Sequence, residues 1–511
     1  MNPDSSPLIL ALDVGTSSTR AILFDTQGDK IGAASQIEYS QTTTFDGGVE
    51  TDADVLLERT AQCIDALLKT TNARPTAVQP TAVACSCFWH SLMAIDEGDK
   101  PLTPLFSWAD NRAAPWIPAL RATLNEEETH ARTGCIFHTS YWPAKLLWLH
   151  HTRPELFASS TRWIGFGEYL ALKLCGTARS SLSMASGTGL FNQNHCDWDE
   201  PTLAALPIAR ENLPELCDAN EPLGDLRQQW KTRWPQLSQA KWFPALGDGA
   251  CSNIGSGCTS PDKIALNVGT SGALRVVLND YKEAAPTGLW RYRIDRKRVL
   301  MGGALSNGGV VYAWAKKNLV LPDDAEAQIA QLQPDAHGLT VLPFLAGERS
   351  PLWNANARLA IEGASLDTTP TEILQACLEA SALRFAAVAQ LLFQAVEDAE
   401  SSTRSADSSG FASQTSLQIV ASGGALSHSP VWTRIMCDCL GVPLLMSQEA
   451  EASARGAALM ALESCGIIKD VSELPAEEGE THQPNAAHHQ TFVRALSRQN
   501  ALYQKLYGAA H

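Results

Sequence analysis

Two stretches of the chain repeat one pattern of apolar and polar positions. The first, LILALDVGTSSTRAILFD, is an apolar run, a small polar turn with a glycine, and a second run that alternates apolar and polar. The second, KIALNVGTSGALRVVLND, has the same layout. Alternating runs flanking a short glycine-containing turn predict β-hairpins. Residues 11–17 (ALDVGTS) and 265–271 (ALNVGTS) agree at six of seven positions and lie nearly half a chain apart. Repetition at that distance points to an internal duplication.

The other periodicities predict helices and strands in alternation. Residues 51–72 read as an amphipathic helix and 79–96 as a strand-like run ending at Phe88-Trp89-His90, with helical patterns at 141–153 and 166–174. Thr369-Pro370-Thr371-Glu372 form a capping box that opens a helix of about 28 residues. Residues 399–416, rich in Ser, Thr, Ala and Gly, read as a solvated surface loop. LQIVASGGAL is then a strand entering Gly423-Gly424. Pro430 starts a short helix that Gly441 ends, and another helix covers about 449–463. The polar tail 472–490 reads as irregular, before a last helix at 491–507. Strands alternating with helices predict an α/β architecture.

Length and composition add limits. The 511 residues suffice for two domains, and 45% apolar with 18% charged residues suits a folded globular protein. A net charge of −16 argues against a general nucleic-acid binder and means that an anionic ligand must be met by local donors. Thirteen cysteines, an odd and scattered set, read as reduced thiols of a cytoplasmic protein. Cys85/Cys87 and Cys437/Cys439 lack zinc-site spacing and read as small buried residues. The N-terminal apolar run is too short for a signal peptide, and no transmembrane helix is expected.

The turns carry the candidate chemistry. Gly15 and Gly269 let a ligand approach the backbone, and the hydroxyls of Thr16, Ser17, Thr270 and Ser271 can converge on phosphate oxygens. Two such hairpins suit a cleft in which each half grips one end of a polyphosphate. The copies differ where Asp13 becomes Asn267. A carboxylate beside phosphate calls for an intervening cation, so Asp13 is the expected ligand of Mg²⁺.

Read together, DVGTSSTRAILFD (13–25), SWADNRA (107–113), ASGTGLFN (185–192), GDGACSNIGSG (247–257), NVGTSGALRVV (267–277), GERSPLWNANAR (347–358) and SGGALSHSPVWTRIMCDCLGVPL (422–444) resemble the FGGY carbohydrate kinases over nearly the whole chain. HSLMAID (90–96) and PLTPLFSWADNRA (101–113) are similar to the gluconate-kinase branch.

The resemblance implies two duplicated actin-like, ribonuclease H-like ATPase domains around a cleft: 1–246 for sugar and Mg²⁺, 247–511 for nucleotide. It implies ATP-dependent phosphorylation of a sugar or sugar acid, D-gluconate foremost, with another polyol or ketose such as xylulose as the alternative. A catalytically weak sugar sensor and an actin-like ATPase are the readings from other classes. The resemblance makes Asp248 the catalytic base, a role open to a carboxylate that reaches the reacting hydroxyl. Gly308, Gly309, Gly423 and Gly424 resemble the glycines along which the nucleotide lies. Trp108, Asp110 and Arg112 occupy the family's W-x-D-x-R position for the sugar, with His90 and His138 as further ligands. Family members are often dimers, so a homodimer is among the allowed states; neither nucleic acid nor membrane is an expected partner.

A gluconate carboxylate needs a cation or several donors, for which Arg112, Lys145, His90 and His138 are candidates. Glu348 and Arg349 are open between structural and ligand roles, and Arg358 reads as a structural partner. Trp89 and Trp142 stand where the family usually has other residues, and two indoles there are expected to narrow or reshape the sugar pocket.

Overall fold

The hairpin at the start of the chain sets the plan. In the computed structural model, which describes residues 7–71, 79–403 and 417–508, β1 (Ile9–Val14) and β2 (Ser18–Phe24) pair antiparallel with Asp13 opposite Arg20. Ile9 to Leu12 are fully buried, as the apolar run requires. β3 (Ser35–Glu38) extends the sheet from β2. α1 (Ala53–Thr71) then crosses to β4 (Ala82–Cys87), which lies parallel to β1. The chain next leaves the sheet for a long excursion that includes α2 (Trp142–Thr152) and has its own core around Leu92, Phe106, Trp148 and Trp163. It returns as β5 (Lys241–Gly247), parallel to β4, and passes without a loop into α3 (Asp248–Gly255). The strand order is β5-β4-β1-β2-β3.

The second hairpin repeats the first. β6 (Lys263–Val268) pairs antiparallel with β7 (Gly272–Asn279). β8 (Trp290–Arg293) and β9 (Arg298–Leu305) add to β7, and α4 (Gly309–Asn318) follows. After α5 (Pro370–Thr403), β10 (Gln418–Ser422) lies parallel to β6. Then come α6 (Pro430–Leu440), β11 (Leu444–Ser447), α7 (Ala452–Ser464), β12 (Glu478–His482) and α8 (Ala486–Tyr507). The order is β8-β9-β7-β6-β10-β11-β12. Within it, β11-β10-β6-β7-β9 reproduces the order of the first sheet, with the hairpin and its parallel neighbour in the same places. The duplication read from one heptapeptide therefore extends to the topology of both halves.

Several local expectations are revised. The Thr369/Glu372 capping box forms in both directions, at 2.8 and 3.3 Å. The helix it opens runs 34 residues rather than about 28, because its apolar face continues against α6 and β7. It is long and apolar enough by composition to cross a bilayer, yet 78% of its most apolar window is buried inside the protein. Residues 399–403 of the expected surface loop thus belong to α5, and 404–416 lie outside the described residues. The tail 472–490 is not wholly irregular: Glu478–His482 pair with the edge of β11. A half-exposed edge strand carries no apolar alternation by which to find it. Asn485 caps α8 by accepting from the N–H groups of Ala487 and His488, so that helix begins before 491.

One feature ties the halves together. α7 follows the last parallel strand of the second sheet, yet it packs on β1, β4 and α3 of the first. It crosses α3 where Gly456 meets Gly255. A Cβ on Gly456 would lie 1.8 Å from the Cys251 carbonyl oxygen, and one on Gly255 would lie 1.8 Å from that of Ala452. Only glycine permits backbones that close.

Candidate active site

Because β5 runs straight into α3, Asp248 is the first residue of a helix. Its Oδ1 accepts from the Gly249 N–H at 2.8 Å. Burial pushes the carboxyl up, and Arg275 on β7 pulls it back. A carboxylate held in this way is a better proton acceptor than one in water. Arg275 forms no ion pair or side-chain hydrogen bond among the described residues. Its guanidinium therefore faces Asp248 across the two sheets without a partner of its own.

Trp89 builds the wall behind this junction. Its indole is 5% exposed and lies where Cβ atoms on Gly187, Gly247 and Gly249 would be, while Nε1 donates to the Ser183 carbonyl at 2.9 Å. Trp142 is also buried, with Nε1 donating to the Ser91 carbonyl. The two indoles expected to narrow or reshape the sugar pocket are packed among neighbouring segments, Trp89 against the glycines that flank Asp248. Trp108 and Trp353 are partly buried, Trp108 beneath the Arg349 guanidinium and Trp353 against His138.

Two histidines sit in opposite states. His90 holds a left-handed backbone conformation (φ 67°), and its Nδ1 lies 2.5 Å from the Gly187 carbonyl. A carbonyl only accepts, so Nδ1 carries the proton and Nε2 is left as an acceptor. At His138, Nδ1 accepts from the Ser140 N–H at 3.2 Å, so Nε2 carries the proton. Burial, with the fields of Lys145 and Arg349, pushes both down to about 3 and keeps them neutral. A sugar hydroxyl, at once donor and acceptor, matches this pair. Tyr141 and Tyr292 lie beside His90, their hydroxyls 2.7 Å apart, and Trp353 packs edge-on to His138.

Asp110 and Arg112 are placed differently from expectation. Asp110 is fully buried, takes the N–H groups of Val49 and Arg112, and pairs with the Arg112 guanidinium at 2.5 Å. Arg112 also pairs with Glu50 at 2.7 Å and lies over the Phe106 and Trp148 rings. The Asp110 oxygens and the Nε and Nη2 of Arg112 are engaged in fastening the loop that carries Trp108. Lys145 is fully buried as well; its Nζ donates to the carbonyls of His90, Ser107 and Ser140 at 2.8–3.3 Å. Burial pushes it down to about 7. It clamps the segments bearing His90, Trp108 and His138.

The glycine segments of the second half do converge. The Gly309 N–H donates to the Gly269 carbonyl at 2.7 Å and the Val310 N–H to that of Thr270 at 3.1 Å. A Cβ on Gly308 would strike Ser271 at 2.8 Å, and one on Gly423 (φ 101°) would strike Val268 at 2.4 Å. Gly424 opens the short helix that follows. The turns 269–271, 308–309 and 423–424 thus form one side-chain-poor surface. In the first half, the Gly15 N–H closes the turn on Ser18, and the Tyr39 hydroxyl donates to the Gly15 carbonyl. Thr16 and Ser17 stand at that turn, and Ser17 lines an open polar pocket of about 460 Å³ with Arg20, Glu38 and Tyr39.

Asp13 faces inward at this hairpin. Burial pushes it up to about 6, Arg20 at 3.6 Å pulls it back, and the carboxylates of Asp248 and Glu451 add to the rise. An under-compensated carboxylate near a second one is a hard-oxygen donor set that fits Mg²⁺. Elsewhere, Asp335, His337 and Glu379 lie together, but their polar atoms satisfy one another: His337 Nδ1 accepts from the Leu339 N–H, and Nε2 gives to Glu379.

Sequence reasoning left out Tyr141, Tyr292, Trp353 and Arg275. Arg275 and Trp353 lie within motifs already singled out; Tyr141 and Tyr292 come from a loop and an edge strand with no repeated pattern. Arg349 and Glu348, adjacent in sequence, separate in space. Glu348 pairs in the core with Arg384 at 2.5 Å, whereas Arg349 turns towards the Trp108 ring, 5.5 Å from its centroid.

Residues 8–255 match the N-terminal domain of the FGGY family of carbohydrate kinases, and 264–465 match its C-terminal domain. The chain is 28% identical to the gluconokinase of Bacillus subtilis (strain 168), over 93% of this chain and 91% of that one. It superposes on the gluconate kinase of Lactobacillus acidophilus with a TM-score of 0.88 at 26% identity, and on the ligand-bound xylulose kinase of the same organism with 0.88 at 27%, covering 99% of each chain in both cases. The chain belongs to the FGGY family of carbohydrate kinases, and it is a phosphotransferase whose fold is that family's two-domain α/β arrangement.

Proposed function

We propose that this kinase transfers the γ-phosphoryl group of ATP to D-gluconate, giving 6-phosphogluconate, in the cytoplasm. The observation that supports the reading is Asp248 at the start of a helix, facing the unpaired Arg275 of the second half, together with a neutral histidine pair, His90 and His138, in the first half. Residues 1–246 form the sugar side, and 247–511 the nucleotide side. Sugar hydroxyls meet His90 Nε2 and His138 Nε2, with the Trp108 face against the carbon chain. Asp248 accepts the proton of the attacking hydroxyl. The surface made by Gly269, Thr270, Ser271, Gly308, Gly309, Gly423 and Gly424 takes the nucleotide, and Gly15, Thr16 and Ser17 meet its phosphate end. Asp13 would hold Mg²⁺, whose chemistry is to neutralise charge on the phosphates. Closure of the halves excludes water, the competing acceptor.

The choice of gluconate is supported by likeness to gluconokinases. Equal likeness to a xylulose kinase makes a neutral ketose the second reading. ADP release from MgATP with gluconate, xylulose, ribulose, glycerol or no sugar separates them. Turnover with gluconate alone is the expected result. Turnover with xylulose instead would replace the substrate while keeping Asp248, and no sugar-stimulated turnover would remove the proposal.

A further inference from the structure

Arg349 is a cation without a counter-charge. Its Nη2 donates to the Leu305 carbonyl at 3.3 Å, its Nε is buried with no hydrogen-bond partner, and no carboxylate pairs with it among the described residues. Its backbone is fixed on both sides: the Ser350 N–H donates to Ala304 of β9, and the Trp353 N–H to the Arg349 carbonyl. Neighbouring Glu348 does not neutralise it, because that carboxylate is paired with Arg384. The groups around the guanidinium are the Trp108 ring, His90, His138, Tyr141, Tyr292 and a second cation, Arg275. None of them supplies a negative charge at neutral pH, since burial and neighbouring thiol or phenol groups hold both tyrosine hydroxyls well above their usual range.

A buried guanidinium in this condition is costly unless something arrives to pair with it. The other cations expected to serve an anionic substrate are engaged: Arg112 by Asp110 and Glu50, Lys145 by three carbonyls. Arg275 stands on the side of Asp248, where the phosphoryl group is exchanged. Arg349 lies over the Trp108 ring and beside both histidines, and it keeps a buried N–H without a partner.

We propose that Arg349 docks the carboxylate of the substrate, and that the substrate class of this kinase is therefore a sugar acid rather than a neutral polyol or ketose. This deepens the sugar-kinase reading and rests on it. The carboxylate takes the free Nε–H and an Nη–H as a two-pronged, charge-assisted pair. The rest of the carbon chain then extends over Trp108 towards Asp248. A neutral sugar leaves the guanidinium unpaired and is rejected for that reason.

The test compares the wild-type enzyme with Arg349→Gln and Arg349→Lys on two substrates of one skeleton: gluconate, and D-glucitol, which has CH₂OH in place of the carboxylate. Arg349→Gln is expected to lower kcat/KM for gluconate by about 10- to 100-fold, mainly through KM, as for a lost charge-assisted bond. Its effect on glucitol and on the KM for ATP is expected to be small. Arg349→Lys should recover part of the preference, since it keeps the charge without the fork. Equal losses on both sugars, or a rise in KM for ATP instead, would overturn the assignment. So would a wild-type enzyme active only on neutral sugars. If gluconate is inert but another aldonate or a uronate is phosphorylated with an Arg349-dependent preference, the gluconate reading fails and this inference stands. Should Arg349→Gln not fold, the lysine variant decides: a raised KM confined to the acid supports the role, and an unchanged preference removes it.

Discussion

The hairpins at 9–24 and 263–279 share register and neighbours but hold different chemistry. Asp13 lies opposite Ser86 of its parallel neighbour, and Asn267 lies opposite Ser422 of its own. The amide of Asn267 donates to the Ser422 hydroxyl at 3.0 Å and is content there. The carboxyl of Asp13 is pushed up to about 6 by burial and by two other carboxylates. One copy of the duplicated frame is thus relaxed, and the other carries a charge that the fold alone does not balance. The difference of one atom type separates a surface suited to phosphate from one suited to a cation beside phosphate.

The same contrast appears where the parallel strands end. β5 ends at Gly247-Asp248, whereas its counterpart β11 ends at Ser447 and is followed by Gln448. Asp248→Asn makes the first end neutral like the second. It is expected to lower kcat by about 100-fold or more with the fold intact. Steady-state ADP release measures this, and near wild-type turnover would end the assignment.

The helices after those strands, α3 and α7, meet at Gly255 and Gly456. Gly456→Val forces a side chain into the Cys251 carbonyl. It is expected to cost about 1–3 kcal/mol or more, as for overpacking at a contact that cannot give way. An unchanged Tm in thermal unfolding would show that the crossing is looser than described.

Asp13→Asn turns the first hairpin into the second. The Mg²⁺ concentration for half-maximal activity should rise about tenfold, the scale of a single lost ligand charge. Stability should move the other way. A carboxyl whose folded pKa is about 6, against 3.8 when unfolded, binds more protons folded than unfolded between those values, so wild-type stability falls as pH rises through that window. Asparagine removes this penalty, for an expected gain of about 1–2 kcal/mol at pH 7 by chemical denaturation. Wild-type Mg²⁺ affinity should also climb as pH passes about 6, a dependence the variant lacks. A flat profile in the wild type would count against the metal role. The reciprocal change, Asn267→Asp, replaces the amide donor to Ser422 with an acceptor for its hydroxyl and sets a like charge towards nucleotide phosphate. A rise in KM for ATP of about threefold to tenfold is expected, with KM for the sugar unmoved.

What the sequence by itself determined is what local pattern and repetition encode. The two hairpins follow from alternation around a glycine turn, and their kinship from one shared heptapeptide. The glycine segments at 269, 308 and 423, far apart in the chain, do meet, because duplicated strands bring duplicated turns to the same end of a sheet. Tertiary structure alone decided which polar and aromatic side chains look into the cleft. Asp110 and Arg112 satisfy each other together with Glu50, some sixty residues earlier in the chain. Lys145 is used up on three carbonyls of the loops it holds, and Trp89 and Trp142 are buried where glycines and carbonyls elsewhere receive them. Arg349 is left uncompensated only because Glu348, its neighbour in sequence, was drawn into the core by Arg384. Charge pairing and burial are settled between distant segments, and no pattern within a segment can state which partner will already be engaged.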